Sequence, residues 1–487
     1  MSTDDDIDSL KSRKICFICV GENFLSDEIR SNGKRRKCSY CGSVSRCYSI
    51  EQMSQRIEET FEEHYVRTSD QPSSFQSAML ADKEFDYEWE REGEPVVYAI
   101  MNAADIPEEA ASDIQEILAD KFYVFDKATF SDESEFSLDS YYEESSTNDE
   151  RWQDEWRAFE RSLKSEARFF SRSASTLLTS IFDKIDIVRT RDGKSMIVDA
   201  GPSTELSSMF RARSFQSDDD LKIALARPDI HVGSPPAAHA SAGRMNARGI
   251  SVFYGANDPT VALAEVRPPV GSKVVVARFD IIRPIRLLDL TALNAAMTPG
   301  SIFDPTFTDR LERTMFLRNL SRRITVPVMP DDESFEYLAT QAIADFLATE
   351  NNPSLDGIIF PSVQTGGKAL NCVLFHKAAR VEEIELPKGT EISSRLGSHY
   401  EDGWEDDFAV TEEVPPQEDE TESQQNDFFE PLSFFDNPDV RRDSNAHPST
   451  LKVALDCVHV HIVEAVHFTT KKHSVSRHRW EKHEPEF

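Results

Sequence analysis

No apolar run in this sequence reaches the ~18 residues that a membrane-spanning helix requires, which argues against a helical membrane protein. Positive charge is scarce. Lys and Arg number 54 against 87 Asp and Glu, a net of −33, so attraction of the whole surface to DNA, RNA or anionic lipid is not expected. Cysteine is sparse and odd in number, seven residues, which removes the small disulfide-stapled class. The start, Met-Ser-Thr-Asp-Asp-Asp, lacks the basic stretch of a secretory signal, and a cytoplasmic location is expected. What is present is 487 residues, 39% apolar and 10% aromatic. That is enough for a buried core and for about three domains at ~150 residues each, and it excludes collagenous and fully disordered classes.

Four of the cysteines are paired along the chain. Cys16 and Cys19 form one C-x2-C knuckle, Cys38 and Cys41 a second, and eighteen residues separate them. Two such knuckles can supply four thiolates to a tetrahedral Zn(II), with Gly21 and Gly42 permitting the tight turns. Four cysteines close the coordination shell and leave no position for water, so the expected zinc is structural. A zinc ribbon is therefore expected over 10–50. Cys47, Cys372 and Cys457 sit in apolar surroundings and are expected to be inert. The basic run 34–37, KRRK, is expected to be a solvated turn between the knuckles.

Beyond the knuckles, Met53, Ile57, Phe61 and Tyr65 recur at helical spacing, and 106–122 does so more weakly. Ten acids against one Arg over 131–155 suggest a connector. One long helix should then carry Trp152, Trp156, Phe159, Leu163, Phe169, Phe170 and Leu177. An α-helical domain over 51–200 follows. From about 205 the pattern changes to short β-like runs at 251, 273, 286, 356 and 371, interrupted by helices at 309–321 and 335–349, so the class is α+β. Thirteen acids and no Lys or Arg over 401–430 indicate an acidic disordered insert at 395–450, with C-terminal strands over 451–475 returning to the β domain.

The chemistry concentrates in the block 242–268. Arg244 precedes a strand ending at Tyr254, and Asp258 and Pro259 should cap and open a helix bearing Glu265. Residues 211–280 hold nine Lys or Arg against seven acids, an excess of two within a strongly acidic chain, which favours an anionic ligand here. Four stretches, starting at 210 (FRARSF), 243 (GRMNARGISVFYGANDPTVALAEVRP), 356 (DGIIFPSV) and 366 (GGKALNCVLF), resemble the RES domain family in order and spacing. The knuckles and the Trp-rich helix resemble the HEPN/RES N-terminal module of one subgroup. The resemblance implies a RES catalytic domain over 205–390 with an ADP-ribosyltransferase-like mixed α/β fold.

It also implies consumption of NAD, by hydrolysis or phosphorolysis, in a toxin held in check by an antitoxin or other regulatory protein. The family's name residues fall on Arg244, Glu265 and Ser362, with Arg211 and Tyr254 as further site positions; Asn371, with Ser362, offers neutral donors and acceptors for the ribose or the incoming nucleophile and is expected to bind substrate. Met245 stands where many RES proteins have Trp. On chemical grounds, Glu265 can stabilise positive charge at the anomeric carbon, Arg211 and Arg244 can grip pyrophosphate, and Tyr254 can face nicotinamide. ADP-ribosyl transfer to a macromolecule and a non-catalytic partner-binding role are the alternatives. No membrane or nucleic-acid partner is expected, and oligomeric state is left open.

Overall fold

A computed structural model describes residues 4–81, 87–126, 134–168, 170–329, 331–362, 364, 369–400, 403–416, 447–467 and 469–480. Two compact units emerge: Met1–Arg157 with Ala295–Leu320, and Ala158–Asn294 with Ser321–Phe487. The class is α+β. Among the described residues no helix is long and apolar enough to cross a membrane.

In the first unit, β1 (Lys14–Cys16), β2 (Lys34–Lys37) and β3 (Val44–Ser49) form a sheet in the order β1-β3-β2, with α1 (Asn23–Asn32) between the first two strands. The basic run 34–37 is thus an exposed edge strand, not the expected turn. Backbone pairing with β3 from Lys34↔Cys47 to Lys37↔Val44 holds it extended. Of the two glycines after the knuckles, only Gly42 has positive φ, 74°. Gly21 is needed for close packing instead, because a Cβ there would lie 1.9 Å from an Asp105 carboxylate oxygen.

Helix α2 (Ile50–His64) starts at a capping box in which Ser49 and Gln52 each bond the other's backbone N–H. The periodic Met53, Ile57 and Phe61 are buried, as helical spacing requires. They share a core with α3 (Val96–Ala104) and α4 (Glu108–Asp126), and each such side chain contributes roughly 1.5–3 kcal/mol. The expected long Trp-rich helix is two helices, α5 (Glu150–Ser165) and α6 (Arg172–Phe182). Trp152, Trp156, Phe159 and Leu163 on α5 are buried, and so is Leu177 on α6. Phe170 takes a left-handed φ of 62° and is exposed, and Ser171 caps α6 by accepting from Ala174 N. Phe169 lies outside the described residues.

The second unit is built on an eight-stranded sheet. Its strands are β4 (Ile197–Ala200), β5 (Ser208–Phe215), β6 (Phe253–Ala256), β7 (Lys273–Ile281), β8 (Ile285–Asp289), β9 (Gly357–Pro361), β10 (Leu370–Leu374) and β13 (Leu451–Ile462). The order is β13-β7-β5-β6-β10-β9-β8-β4, antiparallel except for the parallel pair β8 and β9. The period-two alternation of β7 divides its side chains between two cores. Val274 and Val276 join Val261 and Ala262 of α8 (Pro259–Glu265). Val275, Ala277, Phe279 and Ile281 join Leu221 and Ala224 of α7 (Asp218–Ala226) on the other side.

The boundaries between the two units fall at 157, 294 and 320. Edge strand β4 belongs to the large sheet, and Phe182 of α6 stacks on Phe346 of α10 (Glu333–Thr349) at 6.1 Å. Helix α9 (Phe307–Thr325) precedes α10. The insert expected from 395 is also revised. Strands β11 (Glu391–Tyr400) and β12 (Gly403–Glu413) make a hairpin anchored by Leu396 and Phe408 in the sheet's core, with acids left on its exposed positions. Residues 417–446 lie outside the described residues. The return over 451–475 is a single strand ending at Ile462, paired along β7.

Candidate active site

Neighbouring strands β5, β6, β10 and β9 converge with the C-terminal end of α8 on one cleft of about 420 Å3, inside the ~300–1,000 Å3 range of small-molecule sites. Arg211, Arg244, Tyr254, Glu265 and Asn371 all line it. Asp258 accepts from Thr260 N and Pro259 occupies the first turn, so the expected cap and start of α8 are present. Glu265 is the last residue of this short helix, where a carboxylate meets the negative end of the helix dipole.

Two neutral donors hold it there. Ser362 Oγ donates to Glu265 Oε1 at 2.6 Å and Asn371 Nδ2 donates to the same oxygen at 2.7 Å. Ser362 follows β9 and is wholly buried, and its N–H donates to Ala369 O at 2.8 Å. Asn371 sits in β10 between Ala256 and Phe360, so strand register brings it to Glu265. Its Oδ1 is buried without a hydrogen-bond partner. Glu265 and Ser362, expected as catalytic residues, and Asn371, expected as a substrate-binding one, therefore form one bonded cluster. Gly366, Gly367 and Lys368 of the fourth stretch lie outside the described residues.

Arg211 is the second unusual group. Its guanidinium lies 5.1 Å from the Phe253 ring centre, and Nη1 is buried with no hydrogen-bond partner. Burial, with Arg213 nearby, lowers its pKa to about 10, so it stays a cation at neutral pH. The residue is half-buried, and an enclosed guanidinium nitrogen without a partner suits a site awaiting an anion.

Arg244, which also lines the cleft, is held by the protein itself. Its Nη1 donates to Ile324 O at 2.6 Å and its Nη2 to Val326 O at 2.8 Å, and the plane stacks 5.0 Å from the Tyr337 ring centre. The bidentate fork is thus committed to backbone at the end of α9. Tyr254 is also committed at its hydroxyl, which accepts from Met245 N at 3.0 Å and donates to Asn246 Oδ1 at 2.9 Å. Burial pushes its pKa up to about 12. A Cβ at Gly243 would come within 2.7 Å of that hydroxyl, so glycine is required beside it.

Sequence reasoning missed Tyr337, Thr340 and Gln341 of α10. Tyr337 carries the Arg244 plane, Thr340 Oγ1 donates to Arg244 O at 2.6 Å, and Gln341 Nε2 donates to Gly243 O at 2.8 Å. These residues are spaced as an ordinary amphipathic helix, and no motif marks them.

The cysteine knuckles form a separate cluster. Cys16, Cys19, Cys38 and Cys41 place their sulfurs within 4.8 Å of one another, with separations of 3.7 Å (16 to 19), 3.6 Å (16 to 41) and 3.9 Å (19 to 38). A tetrahedron with metal–sulfur bonds of ~2.3 Å has edges of about 3.8 Å, so the four could bind a metal ion. Cys47 stays outside this set and donates to Arg36 O and Ser45 O.

Residues 212–394 match the RES domain family. The chain carries a RES domain. The match spans Arg244, Tyr254, Glu265, Ser362 and Asn371 and begins one residue after Arg211. RES domains are known from NAD-related toxin proteins. The match begins at residue 212 and does not cover the preceding residues, for which the HEPN/RES module remains an expectation. No curated protein and no solved structure matches this chain.

Proposed function

We propose that the RES domain cleaves the nicotinamide–ribose bond of NAD and passes the ADP-ribosyl unit to water or phosphate. The observation that carries this reading is the Glu265 carboxylate, fixed by Ser362 and Asn371 in the same cleft as the unpaired Arg211 guanidinium. As the bond from the anomeric carbon to nitrogen breaks, its electron pair returns to the pyridinium ring. Nicotinamide leaves neutral without a general acid, so one carboxylate suffices where ordinary glycosidases need two. Positive charge then develops on the ribose, and Glu265 stabilises it. The acceptor oxygen bonds to the anomeric carbon, and water gives up its proton to solvent or to Glu265.

Arg211 pairs with the pyrophosphate, and Asn371 Oδ1 accepts from a ribose hydroxyl. Tyr254 presents its ring to nicotinamide, while Arg244 positions the cleft wall. An ADP-ribosyltransferase-like fold, a toxin role and an antitoxin-type regulator belong to the same reading. In the N-terminal unit, zinc is the metal that suits four thiolates. It would be held by Cys16, Cys19, Cys38 and Cys41 and contribute folding energy without entering the chemistry.

Incubating the protein with NAD, with and without phosphate, tests the reading. Released nicotinamide with ADP-ribose or ADP-ribose 1″-phosphate is expected. A labelled macromolecule would assign transfer instead, and no turnover would overturn the proposal.

A further inference from the structure

Strand β2 is an edge strand whose four residues, Lys34, Arg35, Arg36 and Lys37, are all exposed. Its register with β3 sets Arg35 opposite Arg46 and Lys37 opposite Val44. Side chains alternate along a strand, so Arg35, Lys37, Val44 and Arg46 share one face. That face carries three cations around an exposed valine. Like charges directly opposite one another in a sheet are destabilising, and no acid occurs anywhere in 29–50 to relieve them. Among the described residues none of Lys34, Arg35, Arg36, Lys37 or Arg46 pairs with a carboxylate, although the chain as a whole is strongly acidic.

We infer that this face binds the phosphodiester backbone of a single-stranded nucleic acid. Residues two apart on a strand are ~6.8 Å apart, so Arg35 and Lys37 form a row along which an extended polyanion can run. Guanidinium groups hold phosphate by paired hydrogen bonds, and Val44 offers apolar contact to a sugar or base. Addition of an acidic peptide strand is disfavoured, because consecutive cations on an edge block strand pairing. The net charge of the chain does not prevent binding. At physiological salt the Debye length is ~8 Å, so distant carboxylates are screened from this edge.

The test is fluorescence anisotropy of the full-length, metal-replete protein with a labelled 20-nucleotide oligouridine, from about 50 to 200 mM KCl. Three phosphate contacts predict a log–log salt slope of about −2. Arg35→Glu/Lys37→Glu/Arg46→Glu should weaken binding at least tenfold at the lowest salt, with metal content unchanged as evidence of an intact fold. A neutral Arg35→Gln/Lys37→Gln variant should flatten the slope by about 1.4. Absence of binding at 50 mM salt, or equal binding by the triple variant, would overturn the inference. So would tighter binding to a DNA duplex of the same length, or to a polyglutamate peptide. NAD turnover does not enter any of these outcomes.

Discussion

At the scale of single residues, Glu265 and Arg211 carry opposite kinds of stress. Glu265 is a carboxylate at a helix C-terminus, steadied by Ser362 and Asn371 on one oxygen. Glu265→Gln keeps an acceptor for both donors and removes only the charge. It should lower kcat by about 10² to 10³-fold with little change in KM, because the stabilised charge exists fully only in the transition state. Steady-state kinetics with NAD checks this, and an unchanged kcat would remove the mechanism. Arg211 is a half-buried cation whose Nη1 is enclosed without a hydrogen bond. Arg211→Met should leave unfolding stability unchanged or raise it by up to about 1 kcal/mol, since a half-buried guanidinium with an unpartnered nitrogen is replaced by an apolar side chain. NAD affinity should fall at least tenfold in the same variant. Urea denaturation and NAD titration read the two effects separately, and loss of both stability and affinity would contradict the account.

At the scale of elements, the cleft depends on how one loop and two helices are tied together. The 243–246 loop is bonded to α10 through Thr340 and Gln341, while Arg244 reaches one carbonyl in the last turn of α9 and one just past its end. Arg244→Lys retains the charge but loses the planar fork and the stack on Tyr337. The expected result is a loss of about 1.5 kcal/mol in stability by urea denaturation, together with a lower kcat/KM. A purely ligand-contacting Arg244 would instead raise KM and leave stability alone. Gly243→Ala tests the same element from the other side. Its Cβ would crowd the Tyr254 hydroxyl and Asn246 Oδ1, so kcat/KM should fall although neither residue is altered.

At the scale of the whole molecule, two units with separate cores predict two separable losses. Cys38→Ser, or extraction with a chelator, should expose the N-terminal unit to protease while NAD turnover persists, because a closed thiolate site contributes only to folding. Limited proteolysis followed by an NAD assay decides it, and loss of turnover in step with metal loss would contradict separability. The sequence by itself determined what local chemistry dictates. Cysteine spacing marked the four thiols that cluster closely enough to hold a metal ion, the period of Met53, Ile57 and Phe61 gave α2, and Asp258-Pro259 gave the start of α8. The ordered residue pattern from Arg211 to Asn371 marked the cleft. Only the tertiary structure decided the rest. Strand register, set by residues far apart in the chain, brings Asn371 to Glu265 and makes an edge strand of a basic run. The helix after 150 ends at Ser165 and a second one starts at Arg172, with Phe170 in a left-handed conformation between them, an interruption that composition does not encode. Leu396 and Phe408 anchor a hairpin inside acidic surroundings because burying a few apolar side chains in a core outweighs many solvated charges. Arg244 likewise finds its partners in carbonyls 80 and 82 residues away along the chain, a distance at which no local pattern signals a partner.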